Sequence, residues 1–152
     1  KQRILDIMKD SCMGSFGVTS LIIVLLARFL ALVEIDIAQI PAALVAGHAF
    51  SRGCSTAILA TMDYVRDEGK AKPFDNHLGV GGIACAGLTA LLPLAMLPFV
   101  QVVPAVAGAL LATLWLARLF KKRIGGYTGD CLGATQQLAE IAFYGGLLCK
   151  FS

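Results

Sequence analysis

Charge is what this sequence has least of. Asp, Glu, Lys and Arg together make up 15% of 152 residues, against 57% apolar residues, and the mean hydropathy is +0.76. Soluble domains usually carry about a quarter charged residues, so the composition excludes an ordinary soluble domain and gives an integral membrane protein. Other absences narrow the chemistry. The five cysteines (Cys12, Cys54, Cys85, Cys131, Cys149) form no C-x-x-C pair, which excludes a disulfide framework or a zinc site and leaves small buried hydrophobes. There is no P-loop, G-x-S-x-G or H-E-x-x-H, so ATPase and hydrolase readings lack support. A net charge of +3 with no interleaving of basic and aromatic residues excludes nucleic acid as a partner. The start, "KQRILDIMKDS", has neither an apolar h-region nor a small-residue cleavage site and is not a signal peptide. Without an initiator methionine, the chain reads as a fragment or a processed piece, with residues 1–152 forming a single membrane domain.

What is present is a set of apolar runs. They fall at about 18–35, 41–61, 79–98, 101–119 and 131–149, and a crossing helix needs about 20 residues. The expected fold is therefore an all-α integral membrane bundle of about five transmembrane helices. A short amphipathic helix over residues 1–11 precedes it, with Ile4, Ile7 and Met8 on one face and Arg3, Asp6 and Asp10 on the other. "PFVQVVP" between the third and fourth runs predicts a tight hairpin. With five crossings, the N-terminal segment and loops 62–78 and 120–130 share one side, holding Lys1, Arg3, Lys9, Arg66, Lys70, Lys72, Lys121, Lys122 and Arg123. Glu34, Asp36, Gln39 and Gln101 fall on the other, where only the tail carries a cation, Lys150. The positive-inside rule puts the basic side in the cytoplasm.

Several polar residues inside the runs need a reason. Arg118 lies near a run's end and can snorkel; Arg28 is deeper. His48, Ser51, Arg52 and Ser55 follow helical spacing and make one polar stripe, while Gly47, Ser51 and Ser55 fit a small-residue packing face. Packing alone does not require a cation, so Arg52 is expected to face a polar cavity and hold a phosphate. Gly133, Gln136, Gln137, Glu140 and Tyr144 repeat the pattern in the last run, and Glu140 can pair with one of the buried arginines. In "RIGGYTGDCLGA", residues 123–134, Thr128 and Asp130 both suit a helix N-cap, and the glycines permit a turn that exposes amides to an anion. "KDSCMGSFG", with Asp10, Ser11, Gly14 and Gly17, is a parallel group. Two glycine-flanked acids on one side suit a divalent metal bridging phosphate oxygens.

Taken together, "RILDIMKDSCMGSFG", "AFSR", "YVRDEGKAKPF" and "GGYTGDCLGATQQLAE" closely resemble the cobalamin synthase family, the adenosylcobinamide-GDP ribazoletransferases, through nearly the whole chain. The resemblance implies a multi-pass enzyme of the bacterial inner membrane with a cytoplasmic active face. It implies transfer of adenosylcobinamide-GDP onto α-ribazole or its phosphate, with release of GMP and with Mg²⁺ as cofactor. Family members carry an upstream motif of the type "GGxHxDGxxDxxDG"; this chain starts after it and so looks like the C-terminal portion of a longer polytopic enzyme. Carried onto this sequence, the resemblance implies Asp10 and Asp130 as catalytic metal ligands. Ser11, Gly14, Gly17, Arg52, Lys122, Arg123, Thr128, Gly129 and Glu140 would then lie around the substrate. The lipid bilayer is the implied surroundings, and a homo-oligomer is compatible with it.

Rival readings remain. A small transporter or channel subunit could use Arg28, Arg52 and Glu140 along a pathway, although its charges belong near the midplane and Asp10, Asp130 and the basic loops crowd one surface. A CDP-alcohol phosphotransferase would need a spaced aspartate run that this chain lacks. A purely structural subunit leaves the acids of "TGD" and "KDS" unexplained.

Overall fold

A computed structural model describes residues 2–9, 14–65 and 79–149. These form six α-helices: α1 (Gln2–Lys9), α2 (Ser15–Glu34), α3 (Ile40–Thr61), α4 (Val80–Leu91), α5 (Phe99–Arg123) and α6 (Gly129–Leu147). A 3₁₀ segment, Leu92–Met96, extends α4. Three prolines punctuate the chain where their missing N–H costs little, whereas Pro104 lies inside α5 and removes one of its backbone hydrogen bonds. Pro41 sits in the first turn of α3, Pro93 in the first turn of the 3₁₀ segment, and Pro98 at the N-cap of α5.

The expected all-α architecture is present. Of the five apolar runs, two give helices long and apolar enough to cross a membrane by length and composition, α2 and α5. At 20 and 25 residues they are roughly 30 and 37 Å long. α4 with its 3₁₀ extension is shorter, and α3 and α6 have the length but are too polar to qualify by composition. The stretch "PFVQVVP" is not a loop: all but Pro98 belongs to α5, the break is confined to Leu97 and Pro98, and α4 makes its main packing against α3.

α6 is the central element, packing against α5, α3 and α2. The α5–α6 seam is made of small residues. Ala105, Ala109 and Ala139 are fully buried, a Cβ on Gly108 would lie 2.9 Å from the Ala142 carbonyl, and one on Gly146 would strike the Ala105 backbone. Such a seam brings two backbones close enough for dispersion contact, which is what holds helices together where solvent supplies no hydrophobic drive. α3 meets α6 through Gly47, whose Cβ position lies 2.6 Å from the Tyr144 ring, and through Phe50 and Phe143, with ring centroids 5.9 Å apart. α2 buries only Ala31 and presents Leu21, Ile22, Leu25, Leu26 and Phe29 outward.

The helix ends sort into two groups. Glu34, Asp36, Gln39 and Gln101 gather with Leu147 and Leu148 around a pocket of about 180 Å³. At the opposite end Leu5 of α1 packs with Ile58, Ile124, Tyr127 and Cys131. Among the described residues the sequence's division of the loops into two sides is thus a division in space; Lys1, Arg66, Lys70, Lys72 and Lys150 lie outside them. α1 docks by a face turned slightly from the expected one: Ile4 and Met8 pack as expected, but around buried Leu5, whereas Ile7 is 65% exposed.

Candidate functional site

Three structures meet at and below the end that carries α1. The first is the turn between α5 and α6. Lys121, Lys122 and Arg123 fill the last turn of α5, where cations oppose the negative end of the helix dipole, and Lys122 and Arg123 are exposed. The chain then leaves the helix through Gly125 at φ 83°, a left-handed conformation that glycine adopts without steric cost. Gly126 passes directly under the Asp63 carbonyl and has no room for a side chain. Tyr127 pairs with the strand-like exit of α3: its N–H donates to Asp63 O at 2.9 Å, and Val65 N–H donates to Tyr127 O at 3.1 Å. The Tyr127 ring is fully buried and meets Tyr64 edge-on at 5.4 Å.

This clamp fixes the start of α6. Thr128 is the N-cap, accepting from Cys131 N–H at 3.4 Å, and it is fully buried. The sequence offered both Thr128 and Asp130 for that role; Thr128 takes it. Asp130 lies two residues on, exposed in the first turn, next to exposed Gly129, where the helix N-terminus favours negative charge. Gly14 is the N-cap of α2, and Gly17, in its first turn, donates to Gly14 O at 2.9 Å; both are exposed. α2 and α6 both run toward the pocket at Glu34 and Leu147, so their starts point to the same end. Asp10 and Ser11 lie outside the described residues.

The second structure is a polar node inside the bundle. Glu140 of α6 is fully buried. Its Oε1 accepts from Arg28 Nη2 of α2 at 2.7 Å and from the Tyr144 hydroxyl one turn along α6, also at 2.7 Å. His48 Nδ1 of α3 lies 3.8 Å from the same oxygen. Oε2 is buried with no hydrogen-bond partner. The arginine paired with Glu140 is therefore Arg28, and the i, i+4 spacing of Glu140 and Tyr144 carries a direct hydrogen bond. The rest of the expected α6 stripe does not share this environment: Gly133 and Gln137 are exposed and Gln136 is half-buried.

The third is a cleft of about 600 Å³ whose polar lining is Arg28, His48, Arg52, Thr56 and Thr89. The α3 stripe divides here. His48 and Arg52 line the cleft, while Ser51 is fully buried and donates to His48 O at 3.1 Å, and Ser55 donates to Arg52 O at 2.9 Å. Of the expected small-residue face, Gly47 meets the Tyr144 ring of α6 and Ser51 is buried. Thr56, one turn beyond Arg52, went unnoticed in the sequence, although i+4 spacing from a cavity-facing residue is the signal that finds it. Lys122, Arg123, Thr128 and Asp130 do not line this cleft, so the fold separates the deep arginines from the residues at the bundle end. Among the described residues no group of three His, Cys, Asp or Glu side chains could hold a metal.

These features can be set beside known proteins. The family described as cobalamin-5-phosphate synthase matches residues 1–148. A curated relative from a Polaromonas species, named adenosylcobinamide-GDP ribazoletransferase, is 37% identical over 169 residues, covering 97% of this chain and 60% of its own length. A protein of the same name from Ralstonia nicotianae is 44% identical over 142 residues, with 90% of this chain and 54% of the relative covered. Another from Shewanella piezotolerans is 37% identical over 145 residues, covering 92% and 56%. The chain thus spans 60% or less of the length of these relatives. No solved structure matches it. The match over nearly the whole chain is decisive at the level of family, and the chain belongs to the cobalamin-5-phosphate synthases.

Proposed function

We propose that the chain is part of a membrane transferase that joins adenosylcobinamide-GDP to α-ribazole or its phosphate and releases GMP. The names of its relatives support this reading. In the reaction a ribazole hydroxyl attacks the phosphorus that bears the cobinamide arm; the new P–O bond forms as the bond to GMP breaks, and the hydroxyl proton leaves with water or an acid of the site. Such transfers depend mainly on positioning and on neutralising phosphate charge. The observation that carries the reading is the start of α6. Thr128 caps the helix and the Gly126–Asp63 clamp fixes it, so Asp130 is presented at an exposed helix N-terminus on the same end as Lys122 and Arg123.

On this reading Lys122 and Arg123 hold phosphate oxygens, and Gly14, Gly17 and Gly129 allow close backbone approach, together with Ser11. Arg52, exposed on the cleft wall, holds phosphate away from the bundle end, beside Arg28, which Glu140 holds in place. Mg²⁺ fits this donor set only as an ion that keeps substrate oxygens and water among its ligands, since it commonly takes one or two carboxylates plus phosphate. Asp130 and Asp10 are the carboxylates that would hold it, and its contribution when bound is to neutralise phosphate charge. About five membrane crossings, an inner-membrane location and a cytoplasmic basic end complete the proposal, supported by the two spatially separate groups of loop residues and the lysines and arginines at one of them.

The test is Asp130→Asn and Asp10→Asn in the full-length enzyme, with ribazole transfer measured across a Mg²⁺ titration. Asparagine preserves shape and removes charge. The expected result is folded protein at normal yield, turnover reduced by about 10²-fold or more, and a higher Mg²⁺ requirement in at least one variant. Near-normal turnover in both would remove the two acids from the site.

A further inference from the structure

The turn before α6 is short of side chains that could hold it. Between Ile124 and Cys131 the chain reads Gly125, Gly126, Tyr127, Thr128, Gly129 and Asp130, and each glycine adds backbone freedom. Its three apolar anchors, Ile124, Tyr127 and Cys131, all enter one buried cluster, which Ile58 of α3 and Leu5 of α1 complete. Of the four α1 side chains described, Ile4, Leu5, Ile7 and Met8, only Leu5 is buried, and Ile4 and Met8 pack against the cluster beside it. The cluster also sets how α6 is turned. Cys131 and Thr135 are buried one turn apart, whereas Asp130, Gly133 and Gln137 are exposed. Successive helix residues are rotated by about 100°, so seating Cys131 fixes the direction in which Asp130 points.

We propose that Leu5 is a positioning residue of the transferase site: packed with Tyr127 and Cys131, it holds the first turn of α6, and so the Asp130 carboxylate, in place for the reaction. The inference rests on the transferase reading of Asp130. Backbone pairing alone does not hold the turn. The Tyr127 N–H and carbonyl are tied to Asp63 and Val65, but at Gly129 nothing lies within 4 Å of a Cβ, so the outer side of the turn is open. Inside the turn, Cys131 N–H donates to the Thr128 hydroxyl at 3.4 Å and Leu132 N–H to the Thr128 carbonyl at 3.2 Å. Both lie at or beyond the long end of the usual range, which leaves side-chain packing to fix the geometry. Leu5 supplies that packing from a helix that leads directly into the "KDS" motif. One contact therefore joins α1, and the motif that follows it in sequence, to the start of α6. Such placement matters for phosphoryl transfer, where a displacement of about 1 Å can cost roughly 10²-fold in rate.

The experiment compares Leu5→Ala, Leu5→Met and Ile7→Ala in the full-length enzyme in phosphatidylcholine nanodiscs. Hydrogen exchange of the Tyr127, Cys131 and Leu132 amides is measured without Mg²⁺ or substrate, and ribazole transfer is measured separately across a Mg²⁺ titration. Leu5→Ala is expected to speed exchange at these amides, lower turnover by roughly ten- to a hundredfold and raise the Mg²⁺ requirement. Leu5→Met, which nearly conserves volume, should keep the parent behaviour. Ile7→Ala, on the exposed edge of α1, should match the parent throughout. In an Asp130→Asn background Leu5→Ala should cost no further turnover, a dependence that loss of folded protein would not give. Where Leu5→Ala lowers the yield of folded protein, Leu5→Val removes less volume and should give intermediate exchange and turnover. Unchanged exchange in Leu5→Ala, faster exchange with parent-like turnover and Mg²⁺ requirement, or an undiminished loss in the Asp130→Asn background would overturn the proposal. Near-normal turnover in Asp130→Asn itself is a failure of the transferase reading; it removes the role in the reaction, and the exchange comparison still decides whether Leu5 braces the turn.

Discussion

Neutralising either member of the Arg28–Glu140 pair should destabilise the bundle, and by unequal amounts. The two atoms are 2.7 Å apart, but the partners differ in burial: the Glu140 side chain is fully buried, while that of Arg28 is 29% exposed. Coulomb attraction between unit charges about 4 Å apart is roughly 4 kcal/mol at an effective dielectric of 20, and removing one partner of a buried pair costs about 3–5 kcal/mol in soluble proteins. Polar contacts between membrane helices measure less, about 0.6 kcal/mol on average. Burial decides between these limits. Arg28→Gln leaves Glu140 with no opposing guanidinium and only the Tyr144 hydroxyl on Oε1, so its cost should approach about 3–4 kcal/mol. Glu140→Gln leaves Arg28 able to turn into the open cleft, and its amide oxygen can still accept from Tyr144, so about 2 kcal/mol is expected. The double variant should recover about 1–3 kcal/mol relative to the sum of the singles. Reversible unfolding in mixed micelles, followed by the fluorescence of Trp115, the single tryptophan, measures all three. A larger cost for Glu140→Gln than for Arg28→Gln, or strict additivity, would refute the assignment of burial as the deciding factor.

Other expectations follow from the bundle end and the seam. Thr128→Val should cost about 0.5–2 kcal/mol through loss of the cap, read in the same unfolding assay. Gly126→Ala forces a methyl onto the Asp63 carbonyl and should cost about 1–3 kcal/mol, with faster hydrogen exchange at the Tyr127 and Val65 amides. Gly146→Leu should separate α5 from α6 and lower the thermal midpoint, whereas Gly133→Ala, where nothing lies within 4 Å of the new Cβ, should leave it unchanged. Lys121→Cys in a cysteine-free background should resist an impermeant thiol reagent added to intact cells; ready labelling would reverse the proposed orientation.

The parts of the fold legible in the sequence were those written as periodicity or as charge. The helices follow the apolar runs, and the separation of Glu34, Asp36 and Gln39 from Lys121–Arg123 follows the loops. Only Ile7 departs from the expected face of α1, because Leu5, one residue after Ile4, completes a buried edge that a strict i, i+3, i+4 reading gives to Ile7. The partner of Glu140 was narrowed to a buried arginine but not to Arg28, since helical spacing fixes directions on one helix and says nothing of how two helices are rotated against each other. That rotation is set by Gly47, Gly108 and Gly146, and of these contacts a local pattern marks only that of Gly47. The same limit applied to the cap: Thr128 and Asp130 are both good caps by residue type, and the choice was made by the pairing of Tyr127 with Asp63 and Val65, which requires a partner strand 62 residues earlier in the chain.

The ion pair also sets a schedule. Arg28 and Glu140 are 112 residues apart in the chain, and at about 5–20 residues per second of synthesis the arginine precedes its acid by roughly 6–22 seconds. For a chain inserted helix by helix, α2 must hold its guanidinium without Glu140 throughout that interval. It carries the means to do so: five leucines, two isoleucines, three valines and two phenylalanines contribute roughly −4 to −7 kcal/mol to insertion, against about +2.5 to +3.5 kcal/mol for one central arginine. The outward-facing apolar surface of α2, which contributes little to packing among the described helices, is thus what lets α2 wait for α6.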